Sequence, residues 1–504
     1  MTEQDRLERL AVAKAAEAYC DGAMTRRRFL RICAQAGLSL SVPGLFGCDS
    51  RPAPKRQGED VTGPESALVK GTAQHNFLTE VRHQFKGTRI KVTMESTPPS
   101  IAVKKLVHKE FTPLTGIEVD FELLKLERVL AKISQDTALQ LGSNDVFYLD
   151  QAWLARFAQD TVSPAELMEN SNLAYPGYAI EDILPPLIEN MATNGGELVA
   201  IPYDIPIFIT MYRRDIFEEL GLSVPRDMPS YLKTIQQINE AKAPHIFGTT
   251  GQWKSGHYSL ECNMTSWLWG HGGSIFAADG SPTINDDQAV QAMEYMMELG
   301  KYMPPGATGW SWDGESKSFI DGKVGLYTSW GEYFPQFDDP EKSQIVGLAE
   351  AAPCPAPVAL RSKEGCGFGE TPGVSHQGGS SLAVSRYSKV PEAAWVFLQW
   401  ATSPDITTRA SLLGGGASPI RYSNYKDSRI LERARVMPGS TRHFSVVFDA
   451  IMNHMGTEPH LPGWAQLAVD SFSIELGKMV TGQQSIKATL DKMAKDAAVV
   501  AKQS

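Results

Sequence analysis

From Arg89 onward the hydrophobic positions switch between two periods, and each switch marks an element. Ile90, Val92 and Met94 alternate with Arg89, Lys91, Thr93 and Glu95, which predicts a half-buried strand. Ile117-Glu118-Val119-Asp120-Phe121-Glu122 alternates in the same way. Asp145-Val146-Phe147-Tyr148-Leu149-Asp150 is apolar without interruption, the pattern of a strand covered on both faces. Between these runs the apolar residues recur at three and four. Val103, Leu106, Val107 and Phe111 predict a helix over roughly 101–112, and a second follows over 124–140. Further helical periods cover 226–242, 286–300, 391–402, 465–481 and 485–501. Strands alternating with helices predict an α/β architecture, and no internal repeat interrupts it.

Upstream of residue 89 the pattern differs. Thr25-Arg26-Arg27-Arg28-Phe29-Leu30-Arg31 opens a basic segment, followed by a modestly apolar stretch without acidic residues that ends at Leu45-Phe46-Gly47-Cys48. Basic, then apolar, then small residues before a cysteine is the order of a secretory signal, too short and too polar to span a bilayer. Arg26 and Arg27 before Phe-Leu resemble the twin-arginine export signal, with Arg31 in place of its usual Lys. Leu45–Cys48 resembles a lipobox, with Cys48 as the lipid-bearing residue and Phe46 bulkier than usual there. Residues 1–48 are therefore read as an N-terminal extension plus export signal. Residues 49–88, with Pro52, Pro54, Gly58, Gly63, Pro64 and Gly71 among scattered charges, are read as a flexible tether. Residues 2–23 carry an amphipathic helical pattern with no part in the signal, and Met24 stands as an alternative start.

Composition narrows the chemistry. The 504 residues carry a net charge of -10, which argues against nucleic acid, because phosphate binding needs a basic face. Ten Trp and fifteen Tyr supply ring faces on which sugars stack, although most such rings belong to a core. Of six cysteines, Cys262, Cys354 and Cys366 fall in the folded part, and no CxxC pair predicts zinc. Cys354 and Cys366, twelve apart, are spaced to suit a disulfide in an oxidising compartment, and Cys262 reads as a buried thiol. There is no GxGxxG, Walker A, HExxH or GxSxG motif, so neither cofactor nor metal nor catalysis is expected. His443, His454 and His460 fit no single helical face and read as scattered surface residues.

Several segments, in order, resemble the extracellular solute-binding proteins that include maltose-binding protein and other sugar-binding components of ABC importers. They are Asp145–Leu154, Ala200–Tyr203 with Met211–Phe217, Phe319–Trp330, and Gly378–Ser385 with Ser388-Lys389 and Pro391–Ala394. The resemblance spans about 89–500. It implies the type II periplasmic-binding-protein fold: two lobes, each a mostly parallel sheet flanked by helices, with a hinge between them. Lobe 1 would comprise 89–205 and 384–418, and lobe 2 would comprise 206–377 and 423–504. It further implies a monomer that captures a carbohydrate or polyol and meets the membrane subunits of an ABC permease, tethered to the membrane by lipid.

A neutral sugar needs carboxylates, amides or Arg at its edge and rings on its face, and ligands of such folds sit beyond the carboxyl ends of strands. Glu95 follows the first strand, and Asp150 and Gln151 follow the third, where Asp150 also suits a helix N-cap. Tyr203 and Asp204 lie at the first lobe crossing, Asp204 two positions before Pro206, which stands where the maltose-type pattern has an acidic residue. Trp330 ends a strand as the best stacking candidate, and Gly378 and Gly379 permit close backbone approach. Arg421 and Trp464 are placed at the cleft by the resemblance, while Trp253, Trp267, Trp269, Trp310 and Trp312 are unassigned, with at least one of them expected to reach the cleft. The competing readings are a twin-arginine-exported enzyme and a glycan sensor or adhesin on the same fold.

Overall fold

The computed structural model describes residues 70–414 and 418–502. The export signal, Cys48, Met24 and the tether up to residue 69 lie outside the described residues. Among the described residues, the strands run in chain order as β1 (Arg89–Glu95), β2 (Glu118–Leu124), β3 (Val146–Asp150), β4 (Thr161–Val162), β5 (Thr193–Asn194) and β6 (Glu197–Leu198). They continue as β7 (Ile201–Asp204), β8 (Phe208–Arg213), β9 (Leu326–Trp330), β10 (Ala349–Ala352), β11 (Ser375–His376), β12 (Ser380–Ser385) and β13 (Met455–Gly456).

Lobe 1 is built on a six-stranded sheet in the order β2-β1-β3-β12-β4, with β7 joined to β12. β1, β2 and β3 are parallel, and β12 runs antiparallel to β3, β4 and β7. Every residue of β3, β7 and β12 is buried, as a strand covered on both faces requires. Lobe 2 departs from the expected mostly parallel sheet. β8 lies between β10 and β9 and is antiparallel to both, because periodicity reveals a strand but not its direction.

The expected helices are present at Leu126–Ala138, Met228–Lys242, Asp287–Gly300, Pro391–Ala401 and Ile486–Ala501. The expected helix at 101–112 starts at Pro98, capped by the Thr97 side chain, and widens into a π-turn at Val107–Phe111. The one at 465–481 is likewise divided by a π-turn at Leu467–Phe472. A helix at Tyr258–Gly270 had no periodic signal, because every residue from Ser259 to Gly270 is buried and no polar face exists.

Three expectations are corrected. The tether ends before residue 70: Ala73–Glu80 is a helix capped by Thr72, and Leu78, Val81 and Phe85 are buried in the main core. Gln74 Nε2 donates to Pro176 O at 3.1 Å and Phe77 meets Tyr175 edge-on, so this segment belongs to lobe 1. The stripe at 78, 81 and 85 is the helical spacing that the scattered charges around it obscured. Cys354 and Cys366 are free thiols. Cys354 Sγ lies 3.2 Å from Phe208 O and Cys366 Sγ 3.3 Å from Ser362 O, so each is engaged separately. His443 is fully buried, stacked on Phe334 at 4.8 Å, and only His454 of the three histidines is an exposed surface residue.

Two crossing segments run side by side between the lobes. Asp204–Phe208 joins β7 to β8, and His376–Ser380 joins β11 to β12. Ile207 bridges Gln377 and the Gly378 N–H donates to Pro206 O at 3.1 Å. A third contact pairs Ile183 with Arg421. Because β12 pairs with lobe 1 from Ser380, the return crossing ends four residues earlier than expected.

Candidate functional site

A cleft of about 630 Å³ opens between the lobes. Its first wall is made by residues at the carboxyl ends of lobe 1 strands: Glu95 on β1, Tyr148 and Asp150 on β3, and Asp204 on β7. Glu127, at the start of helix Leu126–Ala138, extends that wall. The opposite wall carries Lys254 and His257 ahead of the buried helix and Tyr258 at its start, then Trp312 and Asp313, then Trp330 at the end of β9 and Glu332 and Tyr333 beyond it. Pro206 and Gly378 contribute from the two crossing segments.

The side chains are held from behind. The Tyr148 hydroxyl lies 3.3 Å from both Glu95 Oε2 and Asp204 Oδ2, and can serve either carboxyl. Asp204 Oδ1 is itself buried, and the Thr97 side chain and the Ile205 backbone also act on this carboxyl. Asp150 Oδ1 accepts the Ala152 N–H at 2.9 Å, so this carboxylate caps a turn and faces the cleft at once.

Trp330 is fixed by its Nε1–H, which donates to Gln252 Oε1 at 3.0 Å, and by Phe208 edge-on at 4.4 Å. A Cβ at Gly378 would come within 2.5 Å of the Trp330 ring, so the glycine makes room for the aromatic. Trp312 stands edge-on to His257 at 4.6 Å, and the Tyr333 hydroxyl donates to Asp313 Oδ1 at 2.9 Å. His257 Nε2 approaches Glu127 Oε1 across the cleft at 3.9 Å.

Electrostatically the cleft is acid-rich. Six carboxyls (Glu95, Glu127, Asp150, Asp204, Asp313, Glu332) face Lys125, Lys254 and His257. Glu95 and Glu332 keep some surface toward the cavity, yet both lie deep between the lobes. Burial, reinforced by the Asp204 charge, lifts Glu95 to about 8, and burial lifts Asp204 to about 6 against the pull of the Tyr148 hydroxyl. Burial, then the charges of Asp204 and Glu95, push Glu332 well above the usual carboxylate range. Burial does the same to Asp150, with the Glu458 charge adding to it. Near neutrality part of this cluster therefore holds protons and can donate as well as accept hydrogen bonds.

Of the residues expected at the site, Glu95, Asp150, Asp204, Trp330 and Gly378 are brought together, and five are not among those that line the cleft. Gln151 is turned inward, donating from Nε2 to Glu458. Tyr203 is buried behind Tyr148, edge-on to it at 6.3 Å. Gly379 packs against the Asp204 carbonyl, which a Cβ would meet at 2.3 Å. Arg421 is fully buried, donating to Thr402 O and Ala179 O with its guanidinium over Tyr178. Trp464 is core, edge-on to Phe472. Period-two alternation accounts for Tyr203, whose neighbour Asp204 takes the cleft side. Glu332, Asp313, Tyr258 and Tyr333 were not foreseen, and Trp312 is one of the unassigned tryptophans, reaching the cleft as expected of at least one of them. Glu332 and Tyr333 directly follow Trp330, and the rule of looking beyond strand ends would have found them.

Comparison with known proteins agrees with this fold. The family model described as bacterial extracellular solute-binding protein matches residues 107–431, well over half of the chain. A probable amino-acid ABC transporter periplasmic-binding protein from Sinorhizobium fredii is 25% identical over 380 residues, covering 74% of this chain and 81% of its own. An erythritol/L-threitol-binding protein from Mycolicibacterium smegmatis is 22% identical over 429 residues, covering 79% and 82%. The crystal structure of an ABC transporter solute-binding protein from Agrobacterium radiobacter in complex with ribitol superposes with a TM-score of 0.71. It is 20% identical and covers 83% of this chain and all of that one, which establishes the two-lobed fold.

Proposed function

Because the chain belongs to the bacterial extracellular solute-binding proteins, we propose that it captures a small neutral polyol or monosaccharide between its lobes and delivers it to the membrane subunits of an ABC importer. One observation carries the choice of solute. A single cleft joins the rings of Trp330, Trp312 and Tyr333 to the carboxyls of Glu95, Asp150, Asp204 and Glu332. A hydroxyl both donates and accepts, and a carboxyl cluster holding some of its protons offers both partners. The rings meet the C–H faces of the solute. A cavity of this size suits a molecule of one or two sugar units. The ligands named for the Mycolicibacterium relative and the Agrobacterium structure are of this class and support the reading. Pro206 at the first crossing, with Asp204 supplying the carboxylate instead, argues for a solute other than maltose.

Binding needs no chemistry. A solute that touches both walls favours the arrangement in which the walls are near, and the two crossing segments are where the chain would flex. The acid excess supports a second reading, an amine-bearing solute, in keeping with the name of the Sinorhizobium relative.

A thermal-shift panel of sugar alcohols, monosaccharides, amino acids and polyamines separates the two. Ligand bound only by the native state at a hundred times its Kd adds about 2.7 kcal/mol, a clear rise in Tm. The first reading expects the rise with polyols or sugars. A rise confined to cationic solutes would overturn it.

Export through Arg26 and Arg27 and lipidation at Cys48, supported by the residue pattern of 25–48, and a monomeric state complete the proposal. Metabolic labelling with palmitate is expected to mark the chain and to fail in Cys48→Ala. Equal labelling of the variant would refute the anchor.

A further inference from the structure

Behind the cleft wall lies a second cluster of polar side chains, drawn from three distant parts of the chain and fully buried. Cys262 comes from the helix Tyr258–Gly270, His376 from the end of β11, and Glu458 from just beyond β13. The Cys262 Sγ, a His376 ring nitrogen and a Glu458 carboxylate oxygen all lie within 4.8 Å of one another.

The hydrogen bonds assign the imidazole tautomer. The Thr265 hydroxyl donates to Cys262 O at 3.0 Å, so its oxygen accepts the Nδ1–H of His376 at 2.7 Å. His376 Nε2 is then the lone-pair nitrogen. It faces Glu458 Oε1 at 4.0 Å, beyond hydrogen-bond range, and neither atom has a hydrogen-bond partner among the described residues. The other oxygen of Glu458 is occupied by Gln151 Nε2 and the Tyr258 hydroxyl. Two buried lone pairs aimed at each other beside a thiol lack one thing, a positive centre between them.

We propose that Cys262, His376 and Glu458 bind one transition-metal ion of the zinc type. Sulfur, imidazole and carboxylate are the donors such an ion takes. Zn–ligand bonds of about 2.0–2.3 Å place tetrahedral donors about 3.5 Å apart, so side-chain shifts of under about 1 Å close the site. Three protein donors leave a fourth position for water, and Glu261, the residue before Cys262 and also fully buried, lies beside Glu458. The outer partners are in place. Thr265 orients the imidazole, and the Trp269 ring stacks on its face at 5.4 Å with 11° between planes. The ion would pin β11 and β13 to the helix beneath the cleft, and through Glu458 hold Gln151 and Tyr258.

The test uses the full chain, expressed with added Zn²⁺ and purified without chelator. Mass spectrometry of metal content is expected to find about one zinc per chain, falling at least about tenfold in Cys262→Ser and His376→Gln. In a second arm, wild-type chain refolded with Co²⁺ is expected to show a thiolate-to-cobalt charge-transfer band that Cys262→Ser lacks. Wild-type chain with neither bound zinc nor the cobalt band overturns the proposal, whatever the variants do. Undiminished zinc in both variants overturns it equally, because the ion then lies elsewhere.

Discussion

At Gly378 the absence of a side chain decides the position of another residue. A methyl there would stand 2.5 Å from the Trp330 ring, so Gly378→Ala is expected to tilt that ring. Affinity for the solute should fall about tenfold, equivalent to about 1.4 kcal/mol, with the far-ultraviolet circular dichroism unchanged. Titration by intrinsic tryptophan fluorescence checks it; unaltered affinity would mean that the ring takes no part. Glu95 carries a second consequence. It is surrounded by Asp204, Tyr148, Glu127, Asp313 and Glu332, and its folded pKa of about 8 lies above the ordinary 4.5; Asp204 is raised to about 6 from 3.8. The folded state thus keeps protons that the unfolded state has released, so stability falls as pH rises. The contribution is complete below about pH 4 and is lost as pH passes through about 6 and then about 8. Denaturant midpoints of ligand-free protein should decline from pH 5 to 8.5, and Glu95→Gln should flatten that decline. A wild-type midpoint that rises over this range would contradict the assignment.

At the scale of elements, legibility followed amphipathicity. β1 over Arg89–Val92 and β2 over Glu118–Phe121 alternate between a buried and a less buried side, and the sequence alternation was plain. The helix at Tyr258–Gly270 is enclosed by lobe 2 and looks the same on every side, so periodicity could not announce it. The site divided along the same line. Glu95, Asp150 and Trp330 stand at strand ends, where geometry alone places ligands, whereas Arg421 rested on alignment and turned inward to satisfy backbone carbonyls. Its guanidinium is an example of a buried cation kept by hydrogen bonds and a ring face rather than by a solute. Cys262, His376 and Glu458 are 114 and 82 residues apart, and no local spacing could join them. Distant segments are also fastened at Arg442. Its guanidinium donates to both oxygens of the fully buried Asp338 at 3.0 and 3.1 Å and to Ala349 O on β10. Arg442→Met removes that cation from a buried carboxylate, and about 3–5 kcal/mol of stability is expected to go with it. Urea titration should show a lower midpoint at unchanged slope, and a midpoint equal to wild type would contradict the role.

At the scale of the whole molecule, two sheets of different construction are joined by crossing segments that hydrogen-bond to one another. Acidic strand ends of lobe 1 face the rings of lobe 2 and the carboxyls of Asp313 and Glu332 beside them, so neither lobe alone holds the complete set of partners. This division is what couples capture to a change of shape. Calorimetric titration of the sugar alcohol or monosaccharide that raises Tm most, into wild-type chain and into Trp330→Ala, tests this most directly. One solute per chain is expected for wild type, with affinity lowered at least about a hundredfold, or about 2.7 kcal/mol, in a variant that still folds by circular dichroism. Undiminished affinity in folded Trp330→Ala would place the solute outside the interlobe cleft and contradict the account.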